Sequence, residues 1–145
     1  MNKSDGKGFT LIELLIAMTI VAIISAIAYP SYHNSIRVSR RVEAQQALME
    51  AAQKLENYYA KNANYTTNLR QLGYPERAWN NVRSGSGAVH YRIRVNNPEG
   101  CGLVNCFVLE SQSLGDQKND AVSGYKLWST GRKQVRVNAQ DKEGW

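Results

Sequence analysis

Residues 9–29 form an almost unbroken apolar run in which Glu13 is the one acidic or basic side chain. About twenty apolar residues in a helix span the hydrocarbon core of a bilayer, so this stretch is expected to enter or cross a membrane. An ionised carboxylate at such a depth costs about 3 kcal/mol or more and marks a partner or a function. Glu13 therefore calls for a cation. No Lys or Arg lies between Phe9 and Arg37, which leaves Lys3, Lys7 and Arg37 as the internal candidates. If the chain is cut after Gly8, the α-amino group of Phe9, on this chain or on a neighbour packed beside it, becomes a further one. Opposite charges about 4 Å apart at an effective dielectric near 20 attract by roughly 4 kcal/mol, enough to offset much of the burial cost and to set the register of helices in an assembly.

The residues around that carboxylate, Gly8-Phe9-Thr10-Leu11-Ile12-Glu13, resemble the prepilin peptidase site of type IV pilins. The resemblance implies a short basic leader, cleavage between Gly8 and Phe9, N-methylation of Phe9, and a pairing of Glu13 with the amine of Phe9 on the adjacent subunit. Pro30, in Tyr29-Pro30-Ser31-Tyr32, stands where type IVa pilins carry a helix-kinking proline. Asn57-Tyr58-Tyr59 through Asn64-Tyr65-Thr66 resembles the helix-ending motif of their minor pilins. As a whole the chain is similar to the branch that holds PilE-type minor pilins and the competence pilin ComP, a DNA-uptake receptor. What this implies is a minor pilus subunit assembled through its N-terminal helix, with Glu13 and Pro30 as assembly residues. The implied partners are the prepilin peptidase, other pilin subunits and the inner-membrane pilus assembly machinery. Its implied location is the bacterial inner membrane, with the domain in the periplasm, and then the cell-surface pilus. Two alternatives stay open: a ComP-like pilin that binds double-stranded DNA in natural transformation, and a type II secretion pseudopilin. Pro30 and the tyrosine-rich helix end favour the pilus.

A secretory signal peptide is the plainer reading of the N-terminus, since Lys3 and Lys7 form a basic start and Ala26-Ile27-Ala28 has the small-x-small pattern of a cut site. The apolar run is longer than a typical signal core, however, and it carries a carboxylate. Lys3 and Lys7 precede the span and no basic residue follows it before Arg37, which orients the leader to the cytoplasm and the bulk of the chain outward.

Three segments follow: residues 1–8 as leader, 9–30 as the transmembrane and assembly half of a helix, and 31–145 as one small globular domain. From Ser31 to about Asn62 there is no glycine, and Val38, Val42, Ala47, Leu48, Ala51, Ala52, Leu55, Tyr58 and Tyr59 recur at helical spacing, predicting a stripe packed on the domain. Pro30 is expected to kink this helix and not to end it, because the pattern resumes directly after it. The termination is placed at residues 62–64, where Asn tolerates the left-handed conformation. After a loop from Tyr65 to Gly87, Val89, Tyr91, Ile93 and Val95 alternate with His90, Arg92, Arg94 and Asn96, a strand with one buried face. Residues 103–111 read as a second strand, and two more, around Tyr125–Ser129 and Val135–Asn138, flank a turn at Ser129-Thr130-Gly131-Arg132. The expected fold is α+β: a long kinked N-terminal helix, half transmembrane, laid on an antiparallel sheet of about four strands.

In an exported chain the two cysteines, Cys101 and Cys106, are expected to form a disulfide closing a very small loop. Pilins commonly clamp their C-terminal region with a disulfide, whereas residues 122–145 here have no cysteine. Neither histidine, His33 or His90, is placed beside a nucleophile or acid by a recognised motif, so no catalysis, cofactor or metal is expected.

Residues after the span keep the whole formal net charge of +6, which favours acidic partners but also serves solubility. If Tyr91 and Ile93 point inward, then Arg92, Arg94, Lys126, Trp128 and Arg136 point outward, with Arg132 and Lys133 at the adjoining turn. Such a face suits DNA, the cations neutralising phosphates and the indole stacking on a base or lining a groove. A solvated face whose charges prevent edge pairing has the same pattern.

Overall fold

The structure, a computed structural model, describes residues 8–145 apart from Ser86, so most of the expected leader, with Lys3 and Lys7, lies outside the described residues. One helix, α1, runs from Leu11 to Asn62 and contains Pro30 in its interior. The chain divides into two compact units between Ile36 and Arg37.

In the first unit α1 opens with a reciprocal cap. Thr10 Oγ1 accepts from the Glu13 backbone N–H at 3.3 Å, while Glu13 Oε2 accepts from the Thr10 N–H at 2.9 Å and from its hydroxyl at 2.7 Å. This is a capping box, in which a Thr and a Glu three residues later satisfy N–H groups that the helix itself leaves unpaired. Beyond it the large apolar side chains from Leu11 to Ile27 are exposed around the helix, the pattern of a segment whose environment is lipid or other helices.

In the second unit α1 buries Ala44, Leu48, Ala51 and Leu55. These spacings of four, three and four define the packing face, and full burial of each leucine contributes about 1.5–3 kcal/mol. Val38 and Val42, expected on that stripe, are 43% and 44% exposed. The position that continues the buried face towards the N-terminus belongs instead to Arg41, whose guanidinium is bound to Asp120. The helix ends at Asn62, and the left-handed residue is Ala63 (φ 54°), not an asparagine. Ala63 N–H closes onto Tyr59 O at 2.8 Å, while Asn62 turns its amide onto Tyr58 O at 2.9 Å, so two of the last carbonyls are satisfied.

Six strands pair antiparallel in sequence order: β1 (Asn80–Arg83), β2 (Val89–Asn96), β3 (Val108–Ser113), β4 (Val122–Trp128), β5 (Lys133–Val137) and β6 (Gln140–Glu143). The sheet is thus larger than the four strands expected. β1 lies inside the stretch read as loop, and so does a short 3-10 helix at Leu69–Leu72. β6 follows β5 through a turn in which Asn138 (φ 50°) and Ala139 (φ 64°) both take the left-handed conformation of a type I′ turn. The strand expected from Leu103 begins only at Val108, because residues 101–106 form a tight loop closed by the Cys101–Cys106 disulfide. Within it the N–H groups of Asn105 and Cys106 both return to Gly102 O, and Leu103 O accepts from Tyr65 N–H at 2.7 Å, tying the loop to the chain just after the helix.

Tyr91, Ile93, Val95, Leu109, Tyr125 and Leu127 point to the inner face and form one core with Leu48, Ala51, Leu55, Tyr65 and Phe107. Tyr65 meets Phe107 edge to face at 4.8 Å and stacks on Tyr59 at 4.6 Å. The expected parity of β2 and β4 therefore holds.

β3 and β4 pair through only three positions, ending at Glu110 opposite Lys126. Beyond that point Tyr125 N–H is taken by the Ser111 side chain at 2.9 Å, and Gly124 lies so close to β3 that a Cβ there would stand 2.2 Å from Ser111 O. Gly124→Ala must push one backbone against another, and we expect a loss of roughly 2 kcal/mol, read as a lower Tm in thermal unfolding. An unchanged Tm would show that the two strands part freely here.

Candidate functional site

Two groups of sequence-predicted residues are placed by the structure. The first is at the N-terminus, where Gly8 and Phe9 precede the helix as exposed, non-helical chain. Phe9 is 89% exposed. The next residue, Thr10, shares its two hydrogen bonds to Glu13 through Oε2, so Oε1 is not used by the cap. Glu13 thus has a local structural role that the charge argument alone did not reveal. Its signal was present in Thr10-Leu11-Ile12-Glu13, which has the spacing of a capping box. Pro30 lies within the same unit, inside α1.

The second group is on the outer sheet face. Register sets Arg92 opposite Gln112, Arg94 opposite Glu110, and Glu110 opposite Lys126, so these side chains share the face turned away from the core. Arg136 and Asp141 are opposite one another on β5 and β6. The result is a continuous band of polar contacts across the sheet. Glu110 Oε2 accepts from Arg94 Nε and Nη2 at 2.9 and 2.7 Å and from Asn96 at 2.8 Å. Lys126 Nζ lies 4.0 Å from Glu110 Oε1 and 2.6 Å from Asp141 Oδ2, and Arg136 Nε donates to Asp141 Oδ1 at 2.9 Å. Arg132 is bound to Glu143, which also accepts from Gln134 at 2.7 Å.

These contacts fix the charge states. The Arg136 hydrogen bond, aided by Lys126 and opposed by burial, holds Asp141 down at about 2. Glu143 is held below its ordinary value by Arg132 and Gln134, and Arg132 and Arg136 are in turn raised by their carboxylate partners. Both acids stay ionised, and both guanidiniums charged, throughout the physiological range.

Two indoles lie on this face. Trp128 is half-buried, with the Arg132 guanidinium 5.2 Å from its ring centre. Trp79 was not singled out by sequence reading. Arg92 and Arg94 lie 4.3 and 4.6 Å from its ring centre, and Arg92 also binds Gln112 Oε1 at 2.7 Å. Beyond the last β3–β4 register pair, a cavity of about 230 Å³ opens among Trp79, Arg94, Glu110, Gln112, Lys126 and Arg136. Lys133 is not part of this face: it pairs with inward-pointing Leu127, and its ammonium lies 4.3 Å from the ring centre of Trp145, which packs on Tyr125. His90 is half-buried and depressed below its ordinary 6.5 by burial and then by the Arg40 charge, despite Glu43 and Asp116 nearby.

Chemically, this face offers guanidiniums over indoles and cations held by carboxylates. Such groups bind a polyanion through phosphate contacts and offer aromatic surface to a base. Glu110, Asp141 and Glu143 were also missed as members of the face, and only the unexpected strand β6 brings the last two there.

Comparison with known proteins gives two family matches. Residues 30–124 match the family described as type IV minor pilin ComP, DNA uptake sequence receptor. Residues 3–29 match the prokaryotic N-terminal methylation motif. The first match includes Arg92 and Arg94 and stops before Lys126. Among individual relatives, the type IV major fimbrial protein FimA of Dichelobacter nodosus is 27% identical over 130 residues, covering 86% of this chain and 80% of that protein. A fimbrial protein of Pseudomonas aeruginosa is 28% identical over 145 residues, covering 86% and 87%. The type IV major pilin protein PilA of Myxococcus xanthus is 27% identical over 113 residues, covering 75% of this chain but only about half, 51%, of that longer protein.

Proposed function

We propose, for a chain that belongs to the family of the type IV minor pilin ComP, DNA uptake sequence receptor, that this pilus subunit presents its outer sheet face to double-stranded DNA. The N-terminal methylation motif implies processing by a prepilin peptidase and assembly with other pilins, and the apolar N-terminal helix fits membrane anchoring before the surface pilus. In our reading the cut falls between Gly8 and Phe9, and Phe9 is N-methylated. The leader faces the cytoplasm and the domain the periplasm until inner-membrane assembly machinery moves the subunit into the filament. Glu13 then meets the amine of Phe9 on its neighbour.

The observation that carries the DNA reading is the band of cations on one face, with guanidiniums stacked over Trp79 and Trp128. Arg92 is its most available cation, since its contacts are a neutral amide and an indole. The pairing of Arg94, Lys126, Arg132 and Arg136 with carboxylates favours a second reading, a structural minor pilin whose outer face is merely solvated.

Titrating the full chain in detergent with a random-sequence duplex separates the two. Under the DNA reading, affinity falls as salt rises, Arg92→Ala makes the salt dependence shallower by about one ion, and Trp128→Ala weakens binding at every salt concentration. No binding, or binding indifferent to salt and to both substitutions, leaves the structural subunit.

A further inference from the structure

The outer face carries its own anions. Glu110 projects from β3, and Asp141 and Glu143 from β6; between them they hold Arg94, Lys126, Arg136 and Arg132. Asp141 binds two cations at once, at 2.6 Å from Lys126 and 2.9 Å from Arg136. β6 has no buried residue, and all four of its residues are exposed. Its burial therefore explains little of its presence, while its two carboxylates account for three of the four paired cations. Phosphate affinity comes from protein cations that neutralise phosphates and release the counterions condensed on the nucleic acid. A cation already matched to a protein carboxylate engages a phosphate only when the carboxylate gives way.

We propose that β6 is a built-in competitor for phosphate: Asp141 and Glu143 hold back the basic face so that charge alone does not retain a nucleic acid. Duplexes that add contacts to base edges or fit the cavity beside Trp79 are retained, and other polyanions are released. This inference rests on the DNA reading of the same face. Placing like charge against a wrong partner is a general route to discrimination, because specificity is a difference between affinities.

The test uses the full chain in detergent and a random-sequence duplex of about two dozen base pairs, titrated over a range of salt. Asp141→Asn and Glu143→Gln are each expected to bind this duplex more tightly than wild type, by roughly threefold to tenfold at low salt, with a salt dependence steeper by about one ion. Glu143, with its side chain 61% exposed, can be changed without disturbing the core, so that variant stays informative even if Asp141→Asn loosens the hairpin. Glu50→Gln is the matched control. It frees Lys54 from an equivalent pair and raises the net charge equally, but on α1, away from the sheet's outer face, and its binding is expected to equal wild type. Unchanged or weaker binding by both β6 variants overturns the competitor role and leaves the DNA reading standing, provided wild type binds. An equal gain from Glu50→Gln also overturns it, because net charge then accounts for the effect. Absence of duplex binding by wild type and by both β6 variants alike overturns the DNA reading itself, and this inference with it.

Discussion

Replacing Glu13 by Leu is expected to remove the subunit from sheared pili while leaving it in the membrane fraction. The proposed ion pair with the Phe9 amine of a neighbour, worth roughly 4 kcal/mol in partly shielded surroundings, would be lost, and that amine left without its carboxylate. A loss of this size lowers incorporation by well over about tenfold. Leucine also removes the cap that Glu13 makes with Thr10, so this variant alone does not separate charge from capping. Glu13→Gln does. Glutamine at the third helical position still accepts from the N-cap N–H and so keeps the box, but it carries no charge. If ion pairing drives assembly, the glutamine variant is missing from pili as completely as the leucine variant. Glutamine subunits found in pili at the wild-type level would assign Glu13 to capping, and leucine subunits found there would remove both roles. Immunoblots of sheared filaments against membranes give the readout.

Much of this architecture was legible because its elements obey one period at a time. Helix α1 reads from its long glycine-free stretch, and β2 from strict alternation, since the inward Tyr91, Ile93 and Val95 leave no doubt about parity. β1 was hidden because Asn80 and Asn81 are poor strand formers, and Asn80 is buried for a different reason: its side chain bonds Glu76 N–H and O at 2.9 and 2.8 Å. β6 was hidden because its residues are all polar and exposed, and because Ala139 gives no turn signal. At the candidate site the outward parity of β2 and β4 held, while Lys133 fell outside the face and the charge balance was missed. The basic residues were found in one strand each, but their neutralising partners come from other strands, and no local pattern joins Lys126 to an aspartate fifteen residues on. Arg41 shows the same limit in the helix, where a charged residue holds a core-facing position because its partner is supplied by a distant loop.

That partner is the subject of the second large effect: Asp120→Ala is expected to destabilise the second unit by roughly 3 kcal/mol, lowering Tm by more than about 10 °C. The Asp120 side chain is 3% exposed and receives Arg41 Nε at 2.6 Å, with a second guanidinium bond to its other oxygen. It also accepts from Gln117 Nε2 at 2.8 Å. Gln117 is itself fully buried, in the short 3-10 helix Gly115–Asn119, and reaches Tyr91 Oη at 3.3 Å and Arg37 O at 3.4 Å. Its Oε1 is buried without a hydrogen-bond partner among the described residues. Alanine leaves a partly buried guanidinium and a buried amide donor both short of a partner, and each carries a desolvation cost. Titration gives the same pair a second signature. Burial alone pushes the Asp120 carboxyl up, but the Arg41 hydrogen bonds and charge, with the N–H groups of Val122 and Ala121, outweigh it and hold the group below its ordinary 3.8. Because the folded value is depressed, the stabilisation is present in full above the unfolded carboxylate range and is lost as pH falls through the folded value. Wild type should therefore lose stability in acid more steeply than Asp120→Asn, which cannot titrate and starts lower at neutral pH. If the two curves stay parallel down to the acid limit, the ion pair is not what locks α1 to the loop before β4. The stability would then reside in the apolar face of Ala44, Leu48, Ala51 and Leu55 alone.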